Sequence, residues 1–99
     1  MTEELSEKFA FEVVELLRAG EISLKEVIET SQARNESVDS NVNALPFTFF
    51  QDAHKRAEKI DLKKEKENKN SLMGLPIAVK DYNDFEGVPT TYGSKIFEN

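Results

Sequence analysis

The sequence has 99 residues, room for one domain at most. Lys+Arg 13 against Asp+Glu 19 gives a net charge of −6, which disfavours phosphate-bound nucleic acid and anionic lipid as partners. Cys 0 and His 1 exclude disulfides, thiolate chemistry and multi-histidine metal sites.

Residues 5 to 19 predict an amphipathic helix. Leu5, Phe9, Val13, Leu16 and Leu17 fall on one face at a period of 3.6, and Gly20 stands where a terminating glycine belongs. Ser23-Leu24-Lys25-Glu26 is a capping box ahead of Val27 and Ile28. It predicts a second helix from Leu24 to about Ser37, with a thinner apolar face and Ser31 at its next position. Asp39-Ser40-Asn41 reads as its break. Residues 42 to 50, split by Pro46, read as a short or bent edge strand. Phe47, Phe49 and Phe50 read as core.

A third helix is expected from Asp52, its cap, to about Lys64, with Ala53, Ala57 and Ile60 as its stripe and His54 facing solvent. It leads into a mixed-charge stretch at 63–70, read as a solvated helix end or flexible loop. Leu72-Met73-Gly74-Leu75-Pro76-Ile77-Ala78-Val79 is an apolar run whose Ile-Ala-Val centre suits a strand buried on both faces. It stops at Lys80-Asp81, and a turn-rich segment follows through Gly93.

The order helix, helix, strand, helix, strand, loop is the opening of an α/β layer fold, incomplete as it stands. A strand apolar on both faces needs neighbours, so a covering partner or further polypeptide is expected. The organisation expected is one partial domain over 1–99. Residues 1–38 form its helical pair, and 39–99 begin the α/β core. The acidic start Met-Thr-Glu-Glu-Leu predicts no secretory signal, and no apolar run approaches the roughly 20 residues of a membrane span. A cytoplasmic protein is expected.

Lys80 is the residue singled out for chemistry. Ligands bind at the carboxyl ends of strands in open α/β sheets. Partial burial there disfavours the charged form, and a neutral amine can serve as a general base. The alternative is a lysine that reaches water or pairs with Asp81 or Asp84. The segment Gly87-Val88-Pro89-Thr90-Thr91-Tyr92-Gly93-Ser94 offers hydroxyls and close backbone approach, or is an ordinary surface loop. It contains neither Gly-Lys-Ser/Thr of a P-loop nor a dinucleotide fingerprint.

Residues 72–81, continued by 87–94 and by Phe97-Glu98-Asn99, resemble the N-terminal part of the amidase signature family. The shared pattern is G-[IL]-P-[IV]-A-V-K-D followed by G-x-P-T-T-x-G-S. Leu16 to Ser23, Val42-Asn43-Ala44 and Asp52-Ala53 with Ala57 fit more loosely. The resemblance implies an α/β/α layered amidase fold and hydrolysis of a carbon–nitrogen amide bond. It makes Lys80 the base of a Ser–cis-Ser–Lys triad, with Asp81, Thr90, Thr91, Gly93 and Ser94 lining the site. It implies no cofactor and no metal, and a small-molecule amide as substrate.

Two features depart from the family. Tyr82 stands where Asn is usual, with Asn83 after it, and no Gly-Gly-Ser-Ser-Gly run occurs in these residues. That run supplies the triad serines and the oxyanion donors. The 99 residues alone are therefore expected to lack amidase activity and to need the remainder of an amidase polypeptide. The other reading is a non-catalytic interaction module of amidase ancestry, covered by a protein partner. Continuation of the reading frame past Asn99 separates the two.

Overall fold

In a computed structural model, which describes residues 2–97, the chain is helical, with five α-helices and one 3-10 turn. Met1, Glu98 and Asn99 lie outside the described residues. Helix α1 spans Thr2–Ser6, α2 Ala10–Ala19, α3 Leu24–Val42, α4 Phe50–Glu58 and α5 Leu62–Glu65, and the 3-10 turn is Lys95–Phe97.

The single first helix that the periodicity predicts is two. Phe9 is extended, with φ −68° and ψ 155°, and its N–H donates to the Glu12 carboxylate at 2.7 Å. That acidic group in the first turn restarts the helix. Helix α2 ends as expected at Gly20, with φ 73°. Its N–H donates to the Leu17 carbonyl at 3.2 Å and that of Glu21 to Leu16 at 3.0 Å, the paired bonds of a Schellman exit.

The capping box forms as the sequence predicts. The Glu26 N–H donates to Ser23 Oγ at 3.1 Å, and the Ser23 N–H donates to the Glu26 carboxylate at 2.7 Å. Helix α3 then runs through Asp39-Ser40-Asn41 to Val42, past the expected break. The Asp39 carboxylate acts beyond the helix instead. It accepts the N–H groups of Ala44 at 2.8 Å and Leu45 at 3.2 Å, while Asn43 closes the helix at φ 53°.

The expected third helix divides at Ile60. The Asp61 carboxylate accepts the Lys63 N–H at 3.0 Å and begins α5. Asp52 is not the cap of α4. It lies in the first turn and pairs with Arg56 at 2.7 Å. Phe47 and Phe49 are exposed rather than core, and Phe49 stacks on Phe85 with ring centroids 6.1 Å apart.

The expected strands are not formed among the described residues. Residues 43–49 are irregular after α3, and residues 75–80 run without a ladder. A strand is held by hydrogen bonds to a neighbour, and the described residues supply none alongside 75–80. Ile77 is accordingly 73% exposed and Val79 50%. The α/β architecture thus reduces here to a helical arrangement with one unpaired apolar segment.

The core lies between α2, α3 and residues 73–75. Val13, Leu17, Leu24, Val27 and Met73 are buried together, with Leu5, Ala57, Ile60, Leu62 and Leu75 packed around them. Met73 is only 1% exposed. Met73 and Gly74 have φ 58° and 82°, and the Leu75 N–H donates to the Leu72 carbonyl at 3.0 Å, as in a type I′ turn. A Cβ on Gly74 would sit 2.9 Å from Leu24 Cδ1 and 3.0 Å from Ile60 Cδ1. A side chain there would displace these methyl groups and strain the positive φ, so glycine suits this close turn.

Candidate functional site

Residues 80–94 form a closed loop held by two aspartate–threonine pairs. The turn at its tip is Phe85-Glu86-Gly87-Val88. The Val88 N–H donates to the Phe85 carbonyl at 3.1 Å, and Gly87 takes φ 83°. Next inward, Thr90 Oγ1 donates to Asp84 Oδ1 at 2.8 Å. At the base, the Thr91 N–H donates to Asp81 Oδ1 at 2.9 Å, the Thr91 hydroxyl donates to Asp81 Oδ2, and the Tyr92 N–H donates to the Asp81 carbonyl at 3.0 Å.

These bonds set the charge at Asp81. The Thr91 hydroxyl, then the Thr91 N–H, hold its carboxyl below the usual aspartate range, against a smaller opposing effect of burial; the Gly93 N–H adds to the lowering. Thr91 itself is 5% exposed, so its hydroxyl is committed to this pair. Beyond it the chain turns back through Tyr92 and Gly93, at φ 53° and 73°, and the Ser94 N–H donates to the Thr91 carbonyl at 2.9 Å.

Lys80, Asp81, Tyr82, Tyr92 and Gly93 line one open hollow of about 480 Å³. Lys80 is exposed, and its Nζ stands 5.1 Å from the Tyr82 ring centroid, a cation–π distance. The expected partial burial of Lys80 is therefore not supplied by these residues. The Tyr92 ring meets Phe97 edge-on at 5.9 Å.

Of the residues expected at the site, Lys80, Asp81 and Gly93 share the hollow, and Thr91 is hydrogen-bonded to Asp81. Thr90 points to Asp84 instead, and Ser94 Oγ accepts the Ile96 N–H at 3.3 Å within the 3-10 turn. The sequence pattern does not reveal the two tyrosines as walls. Tyr82 stands out there only as a departure from the family, and Tyr92 is inconspicuous between threonine and glycine. Among the described residues no group of three or more His, Asp or Glu side chains could hold a metal ion, and no helix is long and apolar enough to cross a membrane.

A family model described as Amidase matches residues 26–99. The chain belongs to the amidase family. It is similar to the A subunit of glutamyl-tRNA(Gln) amidotransferase from Streptomyces coelicolor, 39% identical over 90 residues that make up 90% of this chain and 18% of that protein. The protein of the same name from Clostridium novyi is 32% identical over 97 residues, 97% of this chain and 20% of that protein. That from Tropheryma whipplei is 39% identical over 95 residues, 95% of this chain and 18% of that protein. The chain thus spans about a fifth of the length of these relatives. No solved structure gives a significant match.

Proposed function

We propose that these 99 residues form the N-terminal segment of an amidase-type enzyme in which Lys80 is the base of a Ser–cis-Ser–Lys triad. The observation that carries this is that Lys80, at the end of the apolar run, lines a hollow together with Asp81, which Thr91 holds by hydrogen bonds. The family match and the motif at 72–94 support it. The segment is read as one partial domain, its helical pair at 1–38 and the start of the layered core at 39–99.

In this reading further polypeptide supplies the two serines and the oxyanion donors. The neutral Lys80 amine takes a proton from the bridging serine, which takes one from the nucleophile. The nucleophilic oxygen bonds to the amide carbon, and the C–N bond breaks with a proton returned to nitrogen. Water then releases the acyl group as carboxylate. Asp81, Thr90, Thr91, Gly93 and Ser94 shape the Lys80 side of this site. The relatives' name adds a destination for the nitrogen. The ammonia released would be passed on to glutamyl-tRNA(Gln) as one polypeptide's share of an amidotransferase. A stand-alone interaction module finds no comparable support.

Two measurements test the proposal. The intact mass of the native gene product should be several-fold above 11.3 kDa. In that complete polypeptide, Lys80→Ala should lower kcat for ammonia release from primary amides by at least about 1,000-fold, with the melting midpoint retained. Near-normal kcat in the variant would remove Lys80 from the mechanism.

A further inference from the structure

We propose that Asp81 and Thr91 act together as a positioning pair for Lys80, an inference that rests on the reading of Lys80 as a base. Asp81 follows Lys80 directly, so whatever fixes the Asp81 backbone and side chain fixes the direction in which the Lys80 side chain leaves the chain. The structure applies three hydrogen bonds there, all from one short stretch further along the loop. Thr91 gives both its N–H and its hydroxyl to the two carboxylate oxygens, and the Tyr92 N–H donates to the Asp81 carbonyl. The Gly93 N–H donates in turn to Thr91 Oγ1 at 3.3 Å.

The same bonds hold the start of the neighbouring stretch. Tyr92 and Gly93 line the hollow together with Lys80 and Tyr82, and they follow directly on the anchored Thr91. The hydroxyl carries this. It accepts from Gly93 while donating to Asp81, and its residue is buried while Lys80, Tyr82 and Tyr92 are exposed. An exposed lysine thus directly precedes a hydrogen-bonded anchor. A reacting group displaced by about 1 Å can lose about 100-fold in rate, so a loose base would be felt in turnover rather than in substrate binding.

The experiment uses the complete polypeptide and ammonia release from acetamide, benzamide and L-glutamine. Thr91→Val keeps the shape and removes the hydroxyl. It should lower kcat about 10- to 100-fold on whichever amide is turned over, with KM within about twofold. Thr91→Ser restores the hydroxyl and should recover most of the loss. If Thr91→Val does not fold, Asp81→Asn takes its place, with the same expected loss of kcat at constant KM. Lys80→Ala is measured in parallel. If Lys80→Ala is inactive and the folded Thr91→Val and Asp81→Asn variants keep wild-type kcat, the positioning role is overturned and the base assignment stands. If Thr91→Ser is as slow as Thr91→Val, the hydroxyl is not the agent and the role is overturned. If Lys80→Ala keeps wild-type kcat, both fall together.

Discussion

Asp81 gives the loop a pH dependence whose sign follows from its hydrogen bonds. Its carboxyl is held below the ordinary aspartate value, about 3.9, first by the Thr91 hydroxyl and then by the Thr91 N–H. A carboxyl depressed in the folded state adds stability that is present above the unfolded value and is lost as pH falls through the folded one. The loop at 80–94 should therefore hold its structure through the mildly acidic range and loosen only as pH drops below the usual aspartate range. Carbon-detected NMR titration of the Asp81 carboxyl checks this. Its midpoint should lie below that of an exposed aspartate in wild type and rise toward it in Thr91→Val. A midpoint that the variant leaves in place would mean the hydroxyl contributes nothing to the shift. Glu26 is held low in the same direction by the Ser23 N–H and hydroxyl, so its contribution is likewise lost as pH falls. Only the Asp81 midpoint should respond to Thr91.

Among the elements, the connection between α2 and the charged loop decides how the segment toward Lys80 begins. Arg18 on α2 reaches across about fifty residues of sequence and donates to four carbonyls: Lys66 at 3.2 Å, Asn68 at 2.8 Å, Lys69 at 3.2 Å and Ser71 at 2.9 Å. Ser71 Oγ then donates to Glu65 at 2.6 Å and accepts the Met73 N–H at 3.1 Å, which leads into the buried turn at Met73 and Gly74. A planar guanidinium can serve several acceptors at once where an ammonium serves as a point charge. Arg18→Met should cost about 1–2 kcal/mol by urea unfolding and raise amide exchange at 66–73. Arg18→Lys should recover little. Unchanged exchange in Arg18→Met would show the loop holding its own shape. None of this was legible in the sequence, where the loop is a run of alternating charges and its organiser lies far upstream on α2. What was legible is local. The Ser23–Glu26 box, the Gly20 exit and the Val13–Leu17 and Val27 faces follow from spacing alone. The helix break at Phe9 and the continuation through Asp39 escaped because each depends on where one carboxylate points. The strands escaped for another reason. Residues 72–79 have strand composition, but a ladder needs a second chain segment, and composition does not supply one. The motif singles out Lys80, Asp81 and Gly93, which line the hollow, but not the two tyrosines beside them; the placement of Tyr92 depends on the left-handed turn at Tyr92 and Gly93.

Taken whole, the molecule exposes more surface than its mass requires. Its accessible area is 7993 Å², against about 5,700 Å² for a compact monomer of this mass. Its radius of gyration is 15.0 Å, against about 13 Å for a compact domain of 100 residues. Part of the exposed surface is apolar: Ile77, Val79, Tyr82, Tyr92, Ile96 and Phe97 are all exposed. Among the described residues none accepts a hydrogen bond from the N–H groups of Ile77, Ala78, Val79 or Lys80. These residues are exposed here, and in the proposed fold a partner strand would pair and cover them. The proposed layered amidase fold makes this quantitative. In the 99-residue chain, the amides of 77–80 should exchange nearly as fast as unstructured peptide, while those of α2 and α3 facing the Val13–Leu17–Val27 core are slowed. In the complete polypeptide, the amides of 77–80 should be protected at least about 100-fold, since opening a central strand costs free energy near that of global unfolding. Hydrogen exchange read by mass spectrometry on both chains makes the comparison. Rapid exchange at 77–80 in the complete polypeptide would mean that no strand forms beside them. Lys80 would then stand at the end of a loop, exposed as it is here, without the burial that a lysine base requires.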